Sequence, residues 1–124
     1  MTNNLTVGAD WVQEQMKRGE PIFFIEVRHA GDLDLAVMKV RGALRLDSDQ
    51  AQKPDLNEIP KERNVVVYST APGDEPAAGL AQLLLNHGVK EVHVLSGGFK
   101  AYLSAGLPVE EIGSGRSMTR VRGL

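Results

Sequence analysis

Apolar and polar positions fall in alternating blocks along this chain. "IFFIEV" (22–27) and "NVVVYS" (64–69) are apolar at nearly every position, and "EVHVL" (91–95) is a third strong run. Runs this short, rich in β-branched and aromatic residues, predict parallel strands, because a strand covered on both faces loses the alternation of a half-solvated one. "LTV" (5–7) and "GALRL" (42–46) are weaker strand candidates. Between these runs the apolar period lengthens to that of a helix. "ADWVQEQMKRGE" (9–20) puts Trp11, Val12, Gln15 and Met16 on one face, with Asp10 near its start and Gly19 near its end. "EPAAGLAQLLLNHG" (75–88) carries proline at a first helical position and Gly88 just past its end, the expected asymmetry of a helix. "GGFKAYLSAG" (97–106) reads as a compact helix introduced by two glycines and closed by Gly106.

The remaining segments are less regular. "GDLDLAVMKV" (31–40) predicts a short helix or turn, and the polar stretch 47–63, interrupted by Pro54 and Pro60, predicts a loop with one helical turn around Asp55 to Ile59. Strands alternating with helices imply βαβ units with right-handed crossovers. The expected fold is therefore α/β, with a central, mostly parallel five-stranded sheet and helices on both faces. The pattern ends near residue 110; beyond it, 111–124 contains Arg116, Arg120 and Arg122 and no acid after Glu111, and reads as a basic tail or linker.

Composition narrows the function. At 124 residues, 42% hydrophobic and 24% charged, the chain fits one packed domain. A net charge of −2 offers no footprint for nucleic acid. No segment is long and apolar enough for a bilayer, and "MTNNLTVGAD" lacks the features of a secretion signal, so a cytoplasmic protein without a membrane partner is expected. The chain has no cysteine. Disulfides, thiolate nucleophiles, persulfide carriers and thiolate metal sites are thereby excluded, and neither a metal nor a cofactor is expected.

In an open parallel sheet, ligands collect at the carboxyl ends of the strands beside helix N-termini. Three loops converge there: "EVRHA" after the second strand, "STAPGDEP" after the fourth and "SGGF" after the fifth. The candidate binding residues are Arg28, His29, Ser69, Thr70, Ala71, Pro72, Gly73, Asp74, Glu75, Gly97 and Gly98, with Phe99 beside them. Gly97 and Gly98 alone are a weak phosphate signal and fit a tight strand-to-helix turn better. Trp11, at helical spacing with Val12 and Met16, reads as core.

"HGVKEVHVLSGGFKAYLSAGLPVE" resembles the final strand, Gly-Gly turn, helix and Gly-Leu-Pro ending of rhodanese-like domains, the single-domain thiosulfate sulfurtransferases and their relatives. "FIEVRHAGDLDLAVMKVRGALRL" is similar to that family's Asp-Val-Arg strand end followed by Gly-His-Ile-Pro-Gly-Ala. The resemblance runs from about Leu5 to Glu110 and implies a three-layer rhodanese-like fold. Val27, Arg28, Gly42 and Ala43 keep the pattern; Glu26 stands for the aspartate, Met38 and Lys39 for Gly-His, and Arg41 for the proline. The family's catalytic cysteine follows the fourth strand, where this chain has Ser69. "STAPGDEP" is similar to a longer-loop branch with Cys-x-Cys-Pro and an acid, with Ser69 and Ala71 in place of both thiols.

The resemblance thus implies a sulfurtransferase site without its nucleophile. A low-pKa thiolate attacks a sulfane sulfur and carries it as a persulfide; a serine hydroxyl cannot. Serine could act in another reaction only with an adjacent base, and only His29 of the three histidines lies at a predicted strand end. Ser69 is then either a nucleophile paired with His29 or a turn serine in a degenerate loop. With no third orienting group in view, the second reading carries more weight. Asp74 and Glu75 add negative charge at a helix N-terminus, where they satisfy the helix dipole and repel an anion. Arg28 could bind an anion or a partner carboxylate, but in the family the equivalent arginine more often braces neighbouring loops, and the resemblance favours bracing. The expectation is a rhodanese-like domain without sulfurtransferase activity that binds a protein partner at the strand-end face, its oligomeric state open. The alternatives are an enzyme of another class using Ser69, and an active sulfurtransferase in which Ser69 and Ala71 were substituted for cysteines.

Overall fold

The computed structural model describes residues 6–28, 38–47, 53–70 and 73–111. Within them the chain runs β1 (Thr6–Val7), α1 (Ala9–Lys17), β2 (Ile22–Arg28), β3 (Met38–Val40), β4 (Leu44–Asp47), a 3-10 turn (Leu56–Glu58), β5 (Asn64–Ser69), α2 (Glu75–Asn86), β6 (Glu91–Leu95), α3 (Gly98–Ser104) and β7 (Val109–Glu111). Five strands form one parallel sheet in the order β1-β6-β5-β2-β4. This is the α/β architecture the apolar blocks imply, with β5 central between β6 and β2.

Alternation along the strands divides the core in two. Val65 and Val67 of β5 face one side, where they meet Ala77, Leu80, Ala81 and Leu84 of α2. Val66 and Tyr68 face the other, with Val12 of α1, Tyr102 of α3 and Val40 of β3. Both faces of β5 are buried, which is why its sequence shows no polar alternation. α2 ends in a Schellman motif: Gly88, at φ +97°, donates to Leu85 O at 3.2 Å, and Val89 donates to Leu84 O at 3.1 Å. Val89 is buried against the same core as Leu84, so the motif also fixes where β6 begins.

Two expectations need correction. Met38–Val40, expected at the end of a helix or turn, is a strand, and it pairs antiparallel with Val109–Glu111 in a separate two-stranded sheet. Residues 31–37 of that expectation lie outside the described residues. Glu111, assigned to the tail, pairs with Met38 and closes this small sheet. The cause is tertiary: the partner of β3 lies some seventy positions along the chain, beyond the reach of any local periodicity. Lys39 forms an ion pair with Glu110 at 2.8 Å, Gly42 N donates to Glu110 Oε1 at 3.2 Å, and Arg41 N donates to Pro108 O at 3.3 Å. The Lys39 hydrogen bond holds the Glu110 carboxyl below the usual range, against a smaller opposing effect of burial. No helix among the described residues is long and apolar enough to cross a membrane.

Candidate functional site

The site is built on a buried polar network one layer below the strand ends. Parallel register sets Glu26 of β2 beside Tyr68 of β5 on one side and Arg45 of β4 on the other. Glu26 is 0% exposed, and a buried carboxylate is tolerated only when it is paired and hydrogen-bonded. Arg45 Nε donates to Glu26 Oε1 at 2.8 Å, and the Tyr68 hydroxyl donates to Oε2 at 3.1 Å. The same hydroxyl accepts the Val40 N–H at 3.1 Å, tying β3 to the sheet. Burial, and then the charge of Glu26, push the Tyr68 phenol far above its ordinary range, so it stays protonated and serves as a fixed donor. Phe99 stacks on Tyr68 with centroids 5.9 Å apart, and Tyr102, its own phenol pushed up to about 12 by burial, lies beyond Phe99.

Above this layer the predicted loops meet. Arg28 ends β2, half-buried, and Ser69 ends β5 opposite Val27. Thr70 continues the pairing, with its N–H 3.2 Å and its Oγ1 3.5 Å from Val27 O. Ser69 is 1% exposed. The β6–α3 turn presses directly on it: Gly97 and Gly98 have φ of +82° and +62°, and a Cβ on Gly98 would collide with Ser69 O. Only glycine meets both demands, the left-handed backbone and the close approach. The two glycines therefore form a tight turn, as the sequence implies, and that turn closes onto Ser69.

The two acids differ in a way the sequence does not reveal. Asp74 stands at the N-cap of α2, and its carbonyl accepts Ala78 N at 2.9 Å, but its side chain makes no capping hydrogen bond there. Its carboxylate instead accepts the Gly97 N–H at 3.4 Å, joining the β5–α2 loop to the β6–α3 turn. Glu75 is exposed in the first turn of α2, and its Oε1 lies 2.7 Å from where a Cβ on Gly73 would stand. The Asp74 charge thus stands beside the N-terminus of its own helix, as expected, while its hydrogen bond goes to the neighbouring turn.

The structure brings Ser69, Thr70, Asp74, Gly97 and Gly98 into one contiguous unit, with Arg28 at the adjacent strand end. His29, Ala71 and Pro72 lie outside the described residues. His87 caps the far end of α2 with Nδ1 2.9 Å from Leu83 O, and His93 packs in β6 on Trp11, rings 4.7 Å apart. Neither lies at the strand ends. Trp11 packs against the α1 and α3 side of the core, as its helical spacing implies. Among the described residues no group of three or more His, Asp and Glu is arranged to hold a metal. Sequence reasoning missed the Glu26–Tyr68–Arg45 network; the available signal was an acid inside "FIEV" and a base inside "LRL", charges in runs that otherwise bury.

The profile of the rhodanese-like domain matches residues 8–105. The chain belongs to the rhodanese-like domain family. Its fold is shared with solved structures. The Alr3790 protein from Anabaena sp. superposes with a TM-score of 0.69 at 25% identity, covering 86% of this chain and 92% of that one. A full-length protein from Lactobacillus plantarum gives a TM-score of 0.68 at 21% identity, covering 87% and 88%. The thiosulfate sulfurtransferase from Pseudomonas aeruginosa is similar in fold, with a TM-score of 0.66 at 20% identity over 86% of this chain and 20% of that larger one. Within this rhodanese-like domain, the place after the fourth strand of the sheet holds a buried serine and the chain has no cysteine.

Proposed function

We propose that this rhodanese-like domain is a pseudoenzyme: a cytoplasmic binding or regulatory module without sulfurtransferase activity, whose strand-end face engages a protein partner. One observation carries the reading. The chain contains no cysteine, and Ser69 stands at the end of β5. A persulfide needs a thiolate to form it, and a hydroxyl at neutral pH neither ionises nor holds a sulfane sulfur. The frame around that position is nonetheless kept, down to the glycine turn pressed on Ser69. A kept frame without its thiol fits a surface used for recognition, and the chain's net charge of −2 favours a protein surface over nucleic acid.

Arg28 serves on this reading to brace the loops. The domain extends at least through Glu111, with 112–124 as a basic linker or tail. The test is incubation of the full chain with thiosulfate and cyanide. Thiocyanate should not exceed the buffer control, and sustained turnover would overturn the proposal. A Ser69 nucleophile is disfavoured by the 1% exposure of that residue. Stoichiometric labelling of Ser69 by a serine-reactive fluorophosphonate would reverse that judgement.

A further inference from the structure

Resting on that reading, we infer that Asp74 sets the ligand class of the strand-end face: its carboxylate acts as an internal anion that closes the face to anionic ligands. Three features support this assignment of the role to one acid. Asp74 is half-buried, and its side chain leaves its own helix uncapped. It reaches instead to the Gly97 N–H across the site. The turn it holds is the one pressed against Ser69, through the contact of Gly98 with Ser69 O.

A charge fixed between the two loops acts on anything that approaches Ser69, and partial burial weakens its screening by water. Glu75 is different. Its side chain is exposed beside Gly73 and contacts neither Ser69 nor the glycine turn in any described hydrogen bond, so solvent and salt screen it more fully. An anionic donor approaching Ser69, and equally a thiolate at position 69, would be disfavoured by the Asp74 carboxylate across the Gly97–Gly98 turn. The missing thiol and the Asp74 carboxylate then act separately, the first removing the persulfide carrier and the second disfavouring an anionic ligand.

The test separates the two effects. In Ser69→Cys the introduced thiolate can attack the sulfane sulfur of thiosulfate; the bond from that sulfur to the sulfonate sulfur breaks, and sulfite leaves with its electron pair. Cyanide then removes the outer sulfur as thiocyanate and regenerates the thiolate. Ser69→Cys alone should stay near background. Ser69→Cys/Asp74→Asn, which keeps an oxygen for the Gly97 N–H and removes only the charge, should be at least tenfold faster, and Ser69→Cys/Glu75→Gln should gain less. Ser69→Cys/Glu14→Gln, neutralising an exposed acid of α1, controls for net charge.

Equal rates for the Asp74 and Glu14 double variants, or a larger gain from Glu75→Gln, would overturn the inference while leaving the non-catalytic reading intact. Turnover by the unaltered chain would instead overturn that reading. A second measurement covers a double variant that fails to fold. Thiosulfate titrated into Asp74→Asn should shift the amide resonances of Gly97 and Thr70 at concentrations at least fivefold lower than in the unaltered chain. Matching titrations would dispose of the inference.

Discussion

Tyr68 and Ser69 are consecutive residues of one strand, yet they belong to regions of opposite character. Tyr68 is locked by three partners in the frame beneath the site, donating to Glu26, accepting from Val40 and stacking on Phe99. Ser69 ends the strand below the loop, where on the proposed reading a thiol would be needed and a hydroxyl stands instead. The frame is held by burial and by a polar network that tolerates no unpaired member, whereas Thr70, Gly73 and Asp74 of the loop are half-buried or exposed. On the proposed reading, a change of chemistry at Ser69 would leave the fold standing, because other residues hold the frame.

Substitutions can break or sharpen that contrast. Arg45→Met leaves the fully buried Glu26 carboxylate without its cation and should cost about 3–5 kcal/mol in urea unfolding. A cost near that of a surface residue would mean the network is not what holds the frame. Tyr68→Phe removes one hydroxyl but strands both the Val40 N–H and Glu26 Oε2, and should cost about 1–3 kcal/mol. In the loop, Asp74→Asn should move stability by less than about 1 kcal/mol, since an oxygen remains for Gly97. If it proved as damaging as Arg45→Met, loop and frame would not be separable.

The pH dependence should divide in the same way. Tyr68 and Tyr102 have folded-state pKa values above those of the unfolded chain, so their contribution is complete below the unfolded value and is lost as pH rises through the folded one. Thermal stability should then fall from about pH 10 upward, and Tyr68→Phe should flatten part of that decline. On the acid side, Glu110 has a depressed value, so its contribution is present above the ordinary glutamate range and is lost as pH falls below about 4. Its side chain is partly exposed beside Lys39, so Glu110→Gln should remove less than about 1 kcal/mol, the smallest of these effects.

Much of the frame was legible before any fold was in view. Pro76 and Gly88 mark the ends of α2, and "IFFIEV" and "NVVVYS" mark two interior strands, because each signal is local: a fixed φ, a left-handed cap, a strand without a polar side. The site was legible as a set of loops but not as a set of contacts. "GDLDLAVMKV" hides the strand Met38–Val40 because its partner arrives at Val109, and "GDEP" hides the reach of Asp74 because its acceptor role is completed by Gly97, twenty-three residues on.

By itself the sequence determined the family, the strands and helices of the central sheet, and the absence of a thiol, since periodicity, capping residues and composition act over a few positions or none. Only the tertiary structure decided which charges meet. Glu26 finds Arg45 and Tyr68 through the register of three parallel strands, and Asp74 turns from its own helix to another loop, because hydrogen bonds are made where packing brings the groups together and not where the chain order lists them.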